Sequence, residues 1–68
     1  MVTVEVRAIL TVEQALALHR ILDRQLEAIQ YIEKREAQNI PPEIKREREA
    51  IAQFLPVLEG AMQLADAN

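Results

Sequence analysis

The pattern of apolar and polar positions divides the chain into an alternating opening and two long helical stretches. Residues 2–7 read Val-Thr-Val-Glu-Val-Arg, which alternates with the period of two that is typical of a strand. Val2, Val4 and Val6 therefore share one face, and the polar side chains share the other. We predict a strand over residues 1–10. Because no second strand is predicted, the simplest partner is the same strand from another copy, antiparallel across a two-fold axis.

The first helical stretch begins at a capping box. Gln14 follows Thr11 by three residues, so the Thr11 hydroxyl can accept from the backbone of Gln14 while the Gln14 side chain reaches back. Apolar residues then recur at helical spacing, which predicts one helix over residues 11–38. The predicted core stripe of this helix, with Ile21 at its flank, is Ala15, Leu18, Leu22, Leu26, Ile29 and Ile32.

A proline pair separates the two helical stretches. The run Asn39-Ile40-Pro41-Pro42 predicts a turn over residues 39–42, because proline suits the first turn of a following helix. We predict the second helix over residues 42–66. Pro56 lies roughly opposite its apolar stripe, which predicts a kink there and not an end. The predicted stripe is Ile44, Ile51, Phe54, Leu55, Leu58, Ala61, Met62 and Ala65.

One strand and two helices are too thin to enclose a core. Domains of about this size usually need disulfides, a metal or oligomerisation, and the 68 residues include no cysteine. We therefore predict a mainly all-α fold, in which a short N-terminal strand precedes an antiparallel two-helix hairpin. The hairpin is expected to assemble into a dimeric four-helix bundle or a larger oligomer.

The predicted oligomer interface combines residues from all three elements. The strand contributes its valine face, and Val57 and Leu64 widen the apolar arc of the second helix. Gln25 is polar but lies within the apolar stripe of the first helix, where an amide commonly determines register. The predicted interface residues are Val2, Val4, Val6, Gln25, Val57 and Leu64.

Composition excludes several classes of protein. Eight basic and eleven acidic side chains give a net charge of −3, which provides no general reason to expect nucleic acid. No apolar run approaches the roughly 20 residues of a membrane span, and no secretory signal is visible. We therefore expect a cytoplasmic protein with no membrane contact.

The sequence offers few arrangements of residues that could carry out catalysis or bind a metal. The chain contains neither serine nor cysteine, and one glycine is too few for a phosphate-binding loop, so we expect neither an enzyme nor a cofactor. His19, Asp23 and Glu27 are spaced four residues apart, as metal ligands on a helix can be. A solvated His–Asp pair explains the same pattern without a metal, and we predict no metal site.

The outer face of the first helix offers a candidate ligand site. Arg20, Arg24, Tyr31 and Arg35 fall within about 60° of one another on a helical wheel. Guanidinium groups beside an aromatic ring suit the recognition of a phosphate and a base. Plain solvated surface is the alternative, because Glu13 and Glu27 interrupt the patch.

Three functions remain open from the sequence. The first is a protein–protein interaction and assembly module, with the chain itself as the main partner and another protein as a further one. The second is an oligomeric binder that sequesters a small anionic ligand such as a nucleotide, in the general shape of small phage-encoded helical hairpins. The third is a DNA-binding dimer, because the order strand–helix–helix is similar to that of ribbon-helix-helix proteins. That resemblance would make Thr3, Glu5 and Arg7 the reading residues, although Glu5 is acidic and the first helix is long.

Overall fold

The computed structural model describes the backbone of residues 2–67 and the side chains of residues 2–66, and over that range the chain forms two α-helices. Helix α1 spans Val12–Arg35 and helix α2 spans Pro42–Ala67. Glu33 pairs with Arg48 near the connecting loop, and His19 pairs with Glu59 at the other end. Early α1 therefore lies beside late α2, which confirms the predicted helical hairpin.

The start of α1 is the predicted capping box. The backbone N–H of Gln14 donates to the Thr11 hydroxyl oxygen at 3.1 Å, and the N–H of Thr11 donates to the Gln14 side-chain oxygen at 3.0 Å. Thr11 itself is extended, with φ −68° and ψ 162°. Two N–H groups that the helix leaves without intrahelical acceptors are thereby satisfied.

Helix α1 ends at Arg35, three residues before the predicted end at residue 38. Glu36 leaves helical geometry with φ −131° and ψ 50°, although its N–H still donates to the carbonyl of Ile32 at 2.8 Å. The N–H of Asn39 then donates to the carbonyl of Glu36 at 3.0 Å. Residues 37 and 38 lie in a turn, because the chain must reverse before the prolines.

Helix α2 begins at Pro42, where the sequence predicted it. The carbonyl of Pro41 accepts from the N–H groups of Ile44 at 3.1 Å and Lys45 at 3.3 Å. The missing N–H of Pro42 costs little in the first turn, since no carbonyl within the helix would have received it. Pro56 lies inside α2, and the helix continues through it to Ala67.

The predicted strand is not formed in the single chain. Residues 2–10 precede α1 without regular secondary structure, and residue 1 of the predicted strand lies outside the described residues. Two strands are needed to satisfy a ladder of backbone hydrogen bonds, and within the described residues the chain offers no second one. Pairing between copies therefore stays a prediction.

The core lies between the two helices and is aliphatic. Its centre is Ile29, which is fully buried against Ile51 and Leu55. Leu22, Leu26 and Ile44 pack around that centre and remain partly exposed, as do several other members of the predicted stripes. Phe54, Ala61 and Ala65 were predicted to face the core, but all three are exposed.

The hairpin is one layer thick. Its principal extents are 46 × 28 × 15 Å, so each helix has a partner on one side only. Among the described residues, neither helix combines the length and the apolar character that crossing a bilayer requires.

Candidate functional site

The predicted ligand site lies on the exposed surface of α1. All four of its side chains are exposed, and Tyr31 retains 63% of its accessible surface. A helix rises about 1.5 Å per residue, so Arg20 and Arg35 lie roughly 22 Å apart along α1. A helical wheel shows the direction of each side chain around the helix but not its position along the axis. The residues therefore fall into two pairs, Arg20 with Arg24 and Tyr31 with Arg35.

Tyr31 and Arg35 are the pair that the structure brings into contact. Nη1 of Arg35 donates to the hydroxyl oxygen of Tyr31 at 3.1 Å. Both side chains line a concavity of about 390 Å³ near the loop. The other residues around this concavity are Ile32, Glu36, Pro41 and Ile44. A ring beside a guanidinium suits a flat anionic ligand, whereas the nearby carboxylate of Glu36 opposes one.

His19 connects the two helices and does not form a metal ladder with Asp23 and Glu27. Its Nδ1 lies 3.1 Å from Oδ2 of Asp23, and its Nε2 lies 3.1 Å from Oε1 of Glu59. The two ring nitrogens therefore face carboxylates on different helices. Across residues 2–67, no group of three histidine, cysteine or acidic side chains is arranged to hold a metal ion.

The His19–Glu59 contact shows which helix surfaces share a side of the hairpin. It places the flank of α1 that carries His19 beside the flank of α2 that carries Glu59. On a wheel with about 100° per residue, Ile21 lies across the core stripe from His19, and Phe54 lies across it from Glu59. Because the helices are antiparallel, Ile21 and Phe54 share the opposite side of the hairpin.

That opposite side is apolar along the late part of α2, and we call it the apolar face. Toward the connecting loop the same side of α2 carries the exposed charges of Glu43, Arg46 and Glu47. Ile21 is 55% exposed and Val57 is 64% exposed, although both side chains are hydrophobic. Gln25 lies among these residues and is also exposed. The apolar face comprises Leu18, Ile21, Gln25, Ala28 and Ile32 from α1, and Phe54, Val57, Ala61 and Leu64 from α2.

A groove adjoins the apolar face where the N-terminal segment passes α2. Its volume is about 400 Å³, and Phe54, Val57 and Ala61 of the apolar face form part of its wall. Val6, Ala8 and Leu10 line it from the N-terminal segment, as does Arg7. Other apolar residues complete the groove, namely Val12, Ala15, Leu58, Met62 and Ala65. The segment before α1 and the late part of α2 therefore form one apolar surface.

All six predicted interface residues are exposed in the single chain. Val2, Val4 and Val6 lie in the N-terminal segment, whereas Gln25, Val57 and Leu64 lie on the apolar face. Their exposure makes them available to a partner, and their role in an oligomer stays a prediction. The predicted reading residue Arg7 is paired with Glu5 at 2.9 Å, and DNA binding likewise stays a prediction.

Among the described residues, four large apolar side chains that are exposed were missed from the sequence. Ile9, Val12 and Leu16 were assigned to no surface, and Phe54 was assigned to the core. Ile9 breaks the alternation of the opening, which was a usable signal. The usable signal for Leu16 was its position about 100° from Ala15 on the wheel, away from the core stripe. Only the contact between the helices shows that Phe54 faces outward.

Comparison with protein-family models, with curated proteins and with solved structures finds no match for this chain.

Proposed function

We propose that this protein is a non-enzymatic assembly module, which forms a homodimer when the apolar faces of two copies pack together. The observation that carries the proposal is the surface area of the single chain. Monomeric proteins follow a scaling of surface with mass that gives roughly 4,400 Å² at 7.8 kDa. This chain exposes 6142 Å². The surplus of roughly 1,700 Å² comes from the exposed N-terminal segment together with the exposed sides of the helices, and it exceeds the approximately 800 Å² that each partner buries in a standard interface.

The composition of one side of the hairpin supports burial against a second copy. Monomers rarely expose contiguous apolar patches larger than a few hundred Å². Here Ile21, Phe54, Val57 and Leu64 are exposed on one side of a layer that is 15 Å thick. The opposite side carries the polar side chains His19, Asp23 and Glu59, and the exposed apolar side chain of Leu16 lies near them. A two-layer dimer would cover the first side and leave the second in water.

Two hairpins packed in this way form a four-helix bundle. A two-fold axis makes the interface isologous, so that each apolar face is its own complement. The scaffold is suitable because α1 and α2 are both long and antiparallel. Gln25 would then be buried among apolar side chains, where its amide favours the register that gives it a hydrogen-bonding partner.

The test compares two identical substitutions on α2. Ala52 and Ala61 are both exposed, and they lie on opposite sides of the core stripe. Sedimentation equilibrium should give a mass of two chains for the wild type and for Ala52→Glu at micromolar concentration. Ala61→Glu should give a mass of one chain, because a charge would be buried without a partner. A wild-type mass of one chain, or a dimeric Ala61→Glu variant, would refute the proposal.

A second candidate function is the binding of a small anionic ligand. The observation that favours it is the contact between Arg35 and Tyr31 at the edge of a concavity. The site then comprises this pair alone, because Arg20 and Arg24 lie too far along α1. Calorimetry with a panel of nucleotides should show binding that Arg35→Ala weakens by about 1.5–3 kcal/mol, the range for hydrogen bonds to charged groups. Arg20→Ala is the matched control and should leave the affinity unchanged.

A further inference from the structure

The N-terminal segment has the properties of half a β-ribbon. Residues 2–10 belong to no helix or strand of the described chain, and Val6 retains 77% of its accessible surface. Their alternating sequence is typical of a strand whose two faces differ. Backbone N–H and C=O groups in such a segment are free to form a ladder with a second extended chain.

We propose that residues 2–10 pair antiparallel with the same residues of a second copy, with Val6 directly opposite the partner's Val6. This inference rests on the proposed homodimer and adds the register of its N-terminal contact. Both the faces of the segment and its charges determine that register.

The faces restrict the register to every second possibility. Residues directly opposite each other in an antiparallel pair lie on the same face of the ribbon. For valine to lie opposite valine, the two-fold axis must therefore lie between one residue and its own copy. An axis between two consecutive residues would not give this pairing. A shift by one residue would place the valine face of one strand against the polar face of the other.

The charges select one of the remaining registers. A two-fold axis at Glu5 would place two carboxylates opposite each other, and an axis at Arg7 would place two guanidinium groups opposite each other. An axis at Val4 pairs Glu5 with the partner's Thr3 and leaves both charges without an opposite charge. An axis at Val6 places Glu5 opposite the partner's Arg7, and symmetry repeats the pair. This register therefore places two pairs of opposite charges across the ribbon.

The geometry of the single chain is consistent with that ribbon. Nε and Nη2 of Arg7 lie 3.0 and 2.9 Å from Oε1 of Glu5, so the two charges already share one face of the segment. Val6, Ala8 and Leu10 alternate with those residues, and all three line the groove beside the apolar face. The apolar face of the ribbon therefore continues the proposed dimer surface, and one two-fold axis can serve both.

The first experiment separates pairs between chains from pairs within a chain. Glu5→Lys and Arg7→Glu each place like charges opposite in their own homodimers, and each should weaken dimerisation about tenfold. A mixture of the two variants restores opposite charges at both positions, so native mass spectrometry should show mainly the heterodimer. A contact within one chain cannot be restored by mixing. A statistical distribution of dimers would overturn the register.

The second experiment tests the axis directly. The chain contains no cysteine, so Val6→Cys introduces one thiol per copy. Under mild oxidation this variant should form a covalent dimer, because the two Cα atoms face each other across the axis. In Val4→Cys the thiols are separated by roughly four residue steps, about 13 Å, and should not cross-link.

The outcomes distinguish this inference from the proposed function. Cross-linking of Val4→Cys in place of Val6→Cys would overturn the register while the dimer stands. A wild-type dimer in which neither variant cross-links would overturn the ribbon and leave packing of the helices as the contact. A wild-type protein that is monomeric by sedimentation would refute both proposals.

Discussion

His19 contacts Glu59 across the hairpin, with 3.1 Å between Nε2 and Oε1, forty residues apart in the chain. This contact lies where early α1 meets late α2, and it marks one side of the hairpin as the side that carries His19 and Glu59. Its energetic contribution should be small, because the Glu59 side chain keeps 55% of its accessible surface.

We therefore expect weak coupling between His19 and Glu59. In a double-mutant cycle with alanine at each position, the coupling free energy should be about 0.2–1 kcal/mol by thermal unfolding. A parallel cycle between His19 and Glu49, which is exposed elsewhere on α2, should give no coupling. Equal values in the two cycles would show that His19 and Glu59 do not interact in the folded protein.

The buried centre of the hairpin should dominate its stability. Ile29 is 0% exposed, so Ile29→Ala should lower the free energy of unfolding by about 2–5 kcal/mol through lost burial and a residual cavity. Ile9 is fully exposed, and Ile9→Ala should change the free energy of unfolding by no more than about 0.5 kcal/mol. Both variants should be melted at one protein concentration, because the proposed dimerisation would contribute to stability. Similar losses at the two positions would contradict the assigned core.

Gly60 should be a site of easy stabilisation. A Cβ atom added there meets nothing within 4 Å, and the residue lies inside α2. Gly60→Ala should therefore raise the free energy of unfolding by about 0.5–1 kcal/mol, because glycine has the larger backbone entropy in the unfolded chain. Ala52→Gly, at an exposed position of the same helix, should lower it by a similar amount. A destabilised Gly60→Ala variant would show that small size at this position is needed.

Gln25 should influence the register of the dimer more than its stability. Since Gln25 is exposed in the single chain, any effect of its substitution must act through an interface. Gln25→Leu should raise the melting temperature while broadening the distribution of oligomeric states in native mass spectrometry. Gln63→Leu is the control, because Gln63 is exposed and lies one turn after Glu59, on the side of α2 opposite the apolar face. If neither property of Gln25→Leu changes, the apolar face does not form the seam.

Much of the fold could be predicted from local signals. The capping box at Thr11 and the proline pair before α2 act within one turn of the chain, and the starts of both helices were predicted correctly from them. The end of α1 was predicted three residues late, because the chain reversal toward Pro41 overrides the helical preference of Ala37 and Gln38. Less of the candidate site was predictable, since a wheel shows direction around α1 but not distance along it.

By itself, the sequence determined two amphipathic helices and an alternating N-terminal segment, because each of these follows from spacing along the chain. Only the tertiary structure decided that Phe54 and Ile21 lie on one exposed side while His19 and Glu59 lie on the other. It also placed Val6 beside Val57 along one groove. These relations depend on how α1 and α2 rotate against each other, which is settled by packing between residues far apart in the chain.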